Sequence, residues 1–309
     1  MQFLHEPVLF NEVIRLLDPC PGDVILDATV GGGGHASALL KAVGPQGKVI
    51  GFDRDPRALT AAEQRLASVG NPFELIHAPF DAMSHLPLPP VDKILFDLGV
   101  SSPQLDSAER GFSFRLKGPL DMRMDPATPQ AAQDILRCAE ESTLADIFHK
   151  YGEERYARRI ARAIVRHRLE HPIWSTSTDF AHFLSRLIPS KPGGIHPATR
   201  VFQALRIAVN DELGMLERSL PTAVGLLRPG GRVGVISFHS LEDRIVKQFF
   251  AQEFQGCTCP PRQPICTCQR QPSLERVTQK PVVAGEEELS RNPRARSAKL
   301  RVARRLLAR

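Results

Sequence analysis

Cysteine is scarce, with six in 309 residues. That is far too few for a disulfide scaffold, and four of them crowd between Cys257 and Cys268, so the reducing cytoplasm is the expected compartment. Long apolar runs are missing too. No stretch approaches the ~18 residues of a membrane span, and Met1 to Pro7 offers no basic segment followed by an apolar one, so neither secretion nor membrane insertion is expected. The last 19 residues contain no acid: Arg291, Arg294, Arg296, Lys299, Arg301, Arg304, Arg305 and Arg309 give them +8, which leaves the other 290 residues at −2 within a net charge of +6. A basic segment on a balanced body reads as a nucleic-acid footprint, because phosphate neutralisation releases counterions whatever the sequence; the plainer reading is a solvated tail. What remains is ordinary globular usage, 42% hydrophobic and 24% charged. A chain of this length sits near the limit of one core, which predicts a large domain with a smaller one inserted or appended.

The first hundred residues alternate strand-like and helix-like segments. Short apolar runs end in acids at Val24 to Asp27, Lys48 to Asp53 and Val91 to Asp97, with Phe73 to His77 as a further strand. Ala36 to Val43 and Pro56 to Val69 read as intervening helices, the second opened by proline at its first turn. This βαβ rhythm predicts an α/β fold with a doubly wound parallel sheet. From about residue 106 to 215 strand-like alternation nearly disappears, and amphipathic stretches predict a helical insertion between sheet-forming segments 1–105 and 216–309. In Tyr151 to Arg168, Ile160 and Ile164 share one face, while Arg155, Arg158, Arg159, Arg162 and Arg166 form a cationic stripe on another. The sheet resumes at Arg232 to Ser237 after a Pro-Gly-Gly turn, and Ser297 to Arg304 reads as a last edge strand.

Gly31 to Gly34 lie where the first strand hands over to the first helix. Consecutive glycines admit positive φ and close approach of a ligand to the backbone, and the helix start beyond them presents unpaired N–H groups. The loop satisfies G-x-G-x-x-A through Gly31, Gly33 and Ala36, so a nicotinamide (NAD) oxidoreductase is one reading. Asp27 favours S-adenosylmethionine instead: a carboxylate at the end of the first strand suits a ligand that carries an ammonium, not a pyrophosphate. Asp53, at the end of the second strand, can accept both ribose hydroxyls of either cofactor. Asp97 ends the fourth strand and is followed by Ser101, Ser102 and Gln104, at the carboxyl edge where open α/β sheets bind ligands. Acceptor chemistry is expected there, with Asp97 able to orient an amine N–H and withdraw its proton; alternatively it caps the turn.

Ten ordered blocks then carry a resemblance. They include Asp27 to His35, Asp53 to Pro56, Asp97 to Asp106, Glu109 to Phe114, Gly118 to Asp125, Tyr151 to Arg155, His196 to Arg206, Ile236 to Arg244 and Asn292 to Arg296, after an opening His5 to Leu9. Together they resemble the MraW/RsmH family of bacterial ribosomal RNA methyltransferases. The resemblance implies a cytoplasmic, S-adenosylmethionine-dependent enzyme with a Rossmann-like class I methyltransferase sheet and a helical insertion, methylating N4 of one cytidine in the decoding region of 16S rRNA in the small ribosomal subunit. By matching motif, its cofactor contacts would be Gly33, Gly34, His35, Asp53, Phe80, Asp97 and Gln104. A homodimer is compatible with these expectations, and a catalytically silent RNA-binding protein on the same scaffold is the competing reading of another class.

The turn after the fourth strand carries no aromatic, so the residue that stacks on the base must come from elsewhere. Phe238 is the first candidate, with Phe112 and Phe114 behind it; His239 is a candidate proton acceptor, followed by Ser240. The target base is expected to be unstacked into a cleft between the sheet edge and the insertion. Arg200, Gln203 and Arg206 recur every three residues on one helical face, to bind RNA phosphate or hold the insertion against the catalytic domain. Cys257, Cys259, Cys266 and Cys268 could make a tetrahedral zinc site, although C-x-C is tighter than usual for one; reduced surface thiols are the alternative, and no metal is assigned to the chemistry.

Overall fold

The structure is a computed structural model describing residues 7–189, 193–255, 259–260, 263–265, 267–268 and 270–307. Among these, seven strands form one sheet: β1 (Val24–Asp27), β2 (Lys48–Asp53), β3 (Phe73–His77), β4 (Val91–Asp97), β5 (Leu227–Ser237), β6 (Leu274–Arg276) and β7 (Lys299–Arg305). Their order is β3-β2-β1-β4-β5-β7-β6, parallel from β3 to β5 and antiparallel at β7 and β6. The central strands are near-continuous apolar runs because both faces are covered. Alternation assigns the faces: Ile50, Phe52, Ile94, Phe96, Val233 and Val235 enter one core, while Val49, Leu95 and Ile236 enter the other. The order in which the strands are added reverses between β1 and β4, which makes their carboxyl ends the switch point.

Helices α1 (Phe10–Leu17), α2 (Gly34–Val43) and α3 (Pro56–Ala67) precede the insertion. Asp55 caps α3, its carboxylate accepting the Arg57 N–H at 3.1 Å, and Pro56 fills the first turn. Helices α4 (Ser102–Asp106), α5 (Ala132–Cys138), α6 (Glu141–Gly152), α7 (Ala157–Glu170), α8 (Ser177–Leu187) and α9 (Ala198–Asn210) follow, and α10 (Glu212–Leu226), α11 (Ser240–Gln255) and α12 (Glu286–Arg291) complete the chain. None of the described helices is long and apolar enough to cross a membrane.

The chain divides into two compact units, residues 1–99 with 213–309 and residues 100–212, so 100–105 belong to the inserted unit and 213–215 to the sheet unit, unlike the division expected from sequence. The inserted unit has its own core around Phe148, Ile160, Trp174, Phe180 and Phe202. The stretch expected as one helix from Tyr151 to Arg168 is two. Glu153 adopts a left-handed conformation (φ 47°) that ends α6, and the Glu154 carboxylate accepts the Tyr156 N–H at 2.9 Å before α7 begins. Within this unit the buried Asn210 amide donates to the carbonyls of Met122 (2.7 Å) and Arg206 (2.8 Å) and accepts the Met124 N–H (2.8 Å), tying the 118–125 segment to α9.

The C-terminal segment also departs from expectation. β7 lies inside the sheet between β5 and β6, and its cations are engaged within the fold. Arg301 and Lys299 meet Asp243 at 2.7 and 3.2 Å, Arg304 meets Glu275 at 2.6 Å, and Arg305 donates to the carbonyls of Val224, Gly225 and Leu227 at the end of α10. β6 stands at the edge, where a three-residue strand has too short a run to show a period in sequence.

Candidate cofactor and acceptor site

At the switch point the ends of β1 and β4 are laced together. The Asp27 carboxylate accepts the Thr29 N–H at 3.1 Å, and the Thr29 hydroxyl oxygen accepts the Asp97 N–H at 2.6 Å. Beyond Thr29 the glycine loop turns into α2 through Gly31 (φ 51°) and Gly33 (φ 75°). A side chain at Gly33 would press on the backbone of Ala62 in α3, and one at Gly34 would meet Pro7. Both glycines are therefore required by the chain's own packing as well as by ligand approach. Asp53 folds back over the loop, one oxygen accepting the Gly31 N–H at 2.9 Å and the other the Asp55 N–H at 2.8 Å.

Three carboxylates, Asp27, Asp53 and Asp97, gather at the carboxyl ends of β1, β2 and β4. Burial pushes Asp27 up to about 7, with Asp53 adding to the effect, and pushes Asp53 to about 6 despite its two backbone bonds. Asp97 rises to about 8, first from burial and then from Asp27 and Glu242. His35 is 5% exposed, its Nε2 3.7 Å from Asp97 Oδ2; burial pushes it down to about 4, so it is neutral near pH 7. Neither nitrogen of His35 has a hydrogen-bond partner of good geometry, and Asp97 Oδ1 is likewise buried and unpartnered. Such groups are costly unless a ligand satisfies them. A ligand bearing positive charge would restore the ionised forms of Asp27 and Asp97, so the donor set fits the ammonium and sulfonium of S-adenosylmethionine and offers no complement to a pyrophosphate.

Phe80 is 8% exposed and edge-on to Phe96, with ring centroids 5.6 Å apart, so most of its ring belongs to the core. Phe238 is half-buried and stands beside the Gly99 backbone, at the paired ends of β4 and β5. His239 has a local task. Its Nδ1 accepts the Glu242 N–H at 3.4 Å, while Glu242 accepts the N–H groups of Phe238 (2.7 Å) and His239 (3.3 Å), a reciprocal cap on α11. Glu242 also lies 3.2 Å from His239 Nε2, but that nitrogen is buried without a hydrogen-bond partner of good geometry, so the Nδ1 cap stands beside the expected role as proton acceptor. Ser240 opens α11 and is exposed.

The remaining candidates lie in the inserted unit. Gln104 is buried, and its side-chain oxygen accepts the Ser101 N–H at 3.0 Å, with Ser102 starting α4. The trio on α9 makes contacts within the inserted unit. Arg200 donates to the Glu153 carbonyl (3.2 Å) and Gln203 to the Tyr151 carbonyl (3.1 Å), covering the end of α6, while Arg206 forms a bidentate pair with Glu212 at 2.8 Å on both arms. These side chains stabilise the inserted unit, because helix-end carbonyls and a buried carboxylate need donors. Of the four clustered cysteines, Cys257 and Cys266 lie outside the described residues. Thr29 and Glu242 were missed in sequence. Thr29 shows its role only when two strands 68 residues apart are paired, and Glu242 only when α11 is known to begin at Ser240.

A parallel sheet with a glycine turn after its first strand, an acid ending its second and buried acids flanking the switch point defines a Rossmann-like nucleotide-cofactor enzyme. The chain matches the MraW methylase family over residues 2–306 and belongs to it; it is a methyltransferase that uses S-adenosylmethionine. It is 53% identical over 312 residues to the ribosomal RNA small subunit methyltransferase H of Geobacter sulfurreducens, covering 99% of this chain and 100% of that one. It is 50% identical over 313 residues to the protein of the same name from Heliobacterium modesticaldum, at 99% and 100% coverage. With that of Syntrophotalea carbinolica the identity is 52% over 310 residues, at 98% of each chain.

Proposed function

We propose that this enzyme methylates N4 of a cytidine in the 16S rRNA of the small ribosomal subunit, in the cytoplasm. The observation that carries the reading is the buried carboxylate set at the switch point, with Asp97 Oδ1 unpartnered, in a chain that matches its family nearly end to end. S-adenosylmethionine, when bound, supplies a methyl group on a positively charged sulfur. Asp27 and Asp97 would hold its cationic end, Asp53 the ribose, and the N–H groups at the start of α2 its remaining polar edge.

An exocyclic amine must lose a proton as its nitrogen takes the methyl group. Asp97 stands at the carboxyl edge with a quarter of its side chain exposed, and its proton affinity is raised toward neutrality, which suits a group that accepts that N–H proton. His35, neutral and 3.7 Å from Asp97 Oδ2, adds no positive charge beside that carboxylate. Phe238, beside Gly99, supplies the apolar face for the base. The exposed arginines of α7 position the RNA backbone; Lys299, Arg301, Arg304 and Arg305 are instead engaged by carboxylates and carbonyls around β7.

The test is transfer of labelled methyl to small subunits that lack the modification, compared with naked rRNA, followed by nucleoside mass spectrometry. N4-methylcytidine as the sole labelled product is the expected result. Label in another nucleoside would refute the acceptor, and no transfer with cofactor bound would favour the silent RNA binder.

A further inference from the structure

A second aromatic feature lies wholly within the inserted unit. His196 is exposed and stacks on the half-buried Phe114, with ring centroids 4.6 Å apart and planes 19° from parallel. Phe114 is itself braced edge-on by Phe202 at 5.3 Å. The imidazole is fixed on a second side, because its Nδ1 accepts the Ala198 N–H at 3.1 Å at the start of α9. That bond selects the neutral tautomer with hydrogen on Nε2.

Partial burial first, and then the neighbouring basic side chains Arg115 and His182, push the ring's proton affinity down. Arg115, Lys117 and His182 are all exposed, and so is Ile195 next to His196. The segment carrying Arg115 and Lys117 is pinned in place: the Ser177 hydroxyl donates to the Leu116 carbonyl at 2.8 Å and the Ser177 N–H to the Gly118 carbonyl at 2.8 Å.

A rigid, uncharged aromatic plane at the surface, ringed by cations on fixed backbone, is the combination that single-stranded nucleic acid uses, a base on the plane and phosphates on the cations. A merely solvated histidine has no need of a backing ring, a locked tautomer and a braced basic loop. We propose that His196, backed by Phe114, is a stacking platform for an unpaired base of the rRNA substrate, with Arg115 and Lys117 taking its phosphates. This rests on the reading of the enzyme as an rRNA methyltransferase and adds a docking point for the RNA.

The experiment measures binding of a fluorescent single-stranded segment of small-subunit rRNA to the full chain over a range of salt, with cofactor affinity measured in parallel. His196→Ala is expected to weaken RNA binding about tenfold, the scale of one lost base stack, and His196→Phe to restore most of it. Arg115→Ala should make the salt dependence shallower by about 0.7 in log–log slope. Cofactor affinity should stay at the parent value throughout, which also certifies folding. Parent-level RNA affinity in both alanine variants, while the parent binds and methylates rRNA, would overturn the platform and leave the proposed function standing. A parent chain that neither binds nor methylates rRNA would remove both.

Discussion

Asp97 and His35 face each other at 3.7 Å with opposite shifts, and these give the cofactor-free protein a defined pH response. Asp27 and Asp97 hold protons in the folded chain up to about pH 7 and 8 but ionise near 3.8 when unfolded, so their contribution is full at low pH and is lost as pH rises through 7 to 8. His35 acts in the other window: ordinarily 6.5 and about 4 when folded, it contributes above 6.5 and loses that as pH falls toward 4. Between pH 6.5 and 8 the carboxylates therefore dominate, and Tm of the cofactor-free protein should fall. Asp97→Asn should flatten that fall. Over the same interval affinity for S-adenosylmethionine should rise relative to S-adenosylhomocysteine, whose sulfur is uncharged; a ratio independent of pH would overturn the cation-binding role. The acids were legible because strand-ending carboxylates at a glycine turn announce themselves in a linear pattern. The tasks of His239 and Arg206 were not, since each depends on a partner, Glu242 or Glu212, whose distance only the fold sets.

Helix α6 meets α9 through Gly152, where an added Cβ would lie 2.6 Å from the Arg200 carbonyl oxygen and 3.3 Å from the Ala204 Cβ. The neighbour that must yield is backbone, so Gly152→Ala should destabilise the chain by about 1–3 kcal/mol in urea unfolding, overriding the helix propensity alanine gains. Gly225→Ala near the end of α10 is the contrast, with nothing within 4 Å of the new methyl, and should be neutral or slightly stabilising. Equal effects at the two sites would remove the close-packing argument. The same contact explains why the helix break was hidden in sequence. Tyr151 to Arg168 carries a 3.6-residue pattern across residues whose backbone turns at Glu153, and periodicity registers which faces are apolar, not where a left-handed residue interrupts them. The strands from β1 to β4 were legible because each is a bounded apolar run; β5 began earlier than expected, at Leu227, because its first residues include the Pro-Gly-Gly turn.

Over the whole molecule, the net charge of +6 is distributed differently from its order in sequence. The acid-free C-terminal segment looks like the stronger RNA footprint on paper, yet Lys299, Arg301, Arg304 and Arg305 are bound to carboxylates and carbonyls that the fold brings to β7. Arg158, Arg159, Arg162 and Arg166 of α7 are exposed, and the acid partners of Arg162 and Arg166, at 3.4 and 3.8 Å, form solvated, weak pairs. Counterion release depends on cations free to meet phosphate, so the two segments should separate in a salt titration of rRNA binding. Replacing Arg158 and Arg159 by alanine should make the log–log slope shallower by about 1.4, from roughly 0.7 per single-strand phosphate lost. Replacing Arg301 and Arg304 should lower Tm, since Asp243 keeps only Lys299 and Glu275 loses its partner, while leaving the slope at the parent value. The reverse pattern, a slope set by β7 and indifferent to α7, would return the RNA contact to the C-terminal segment.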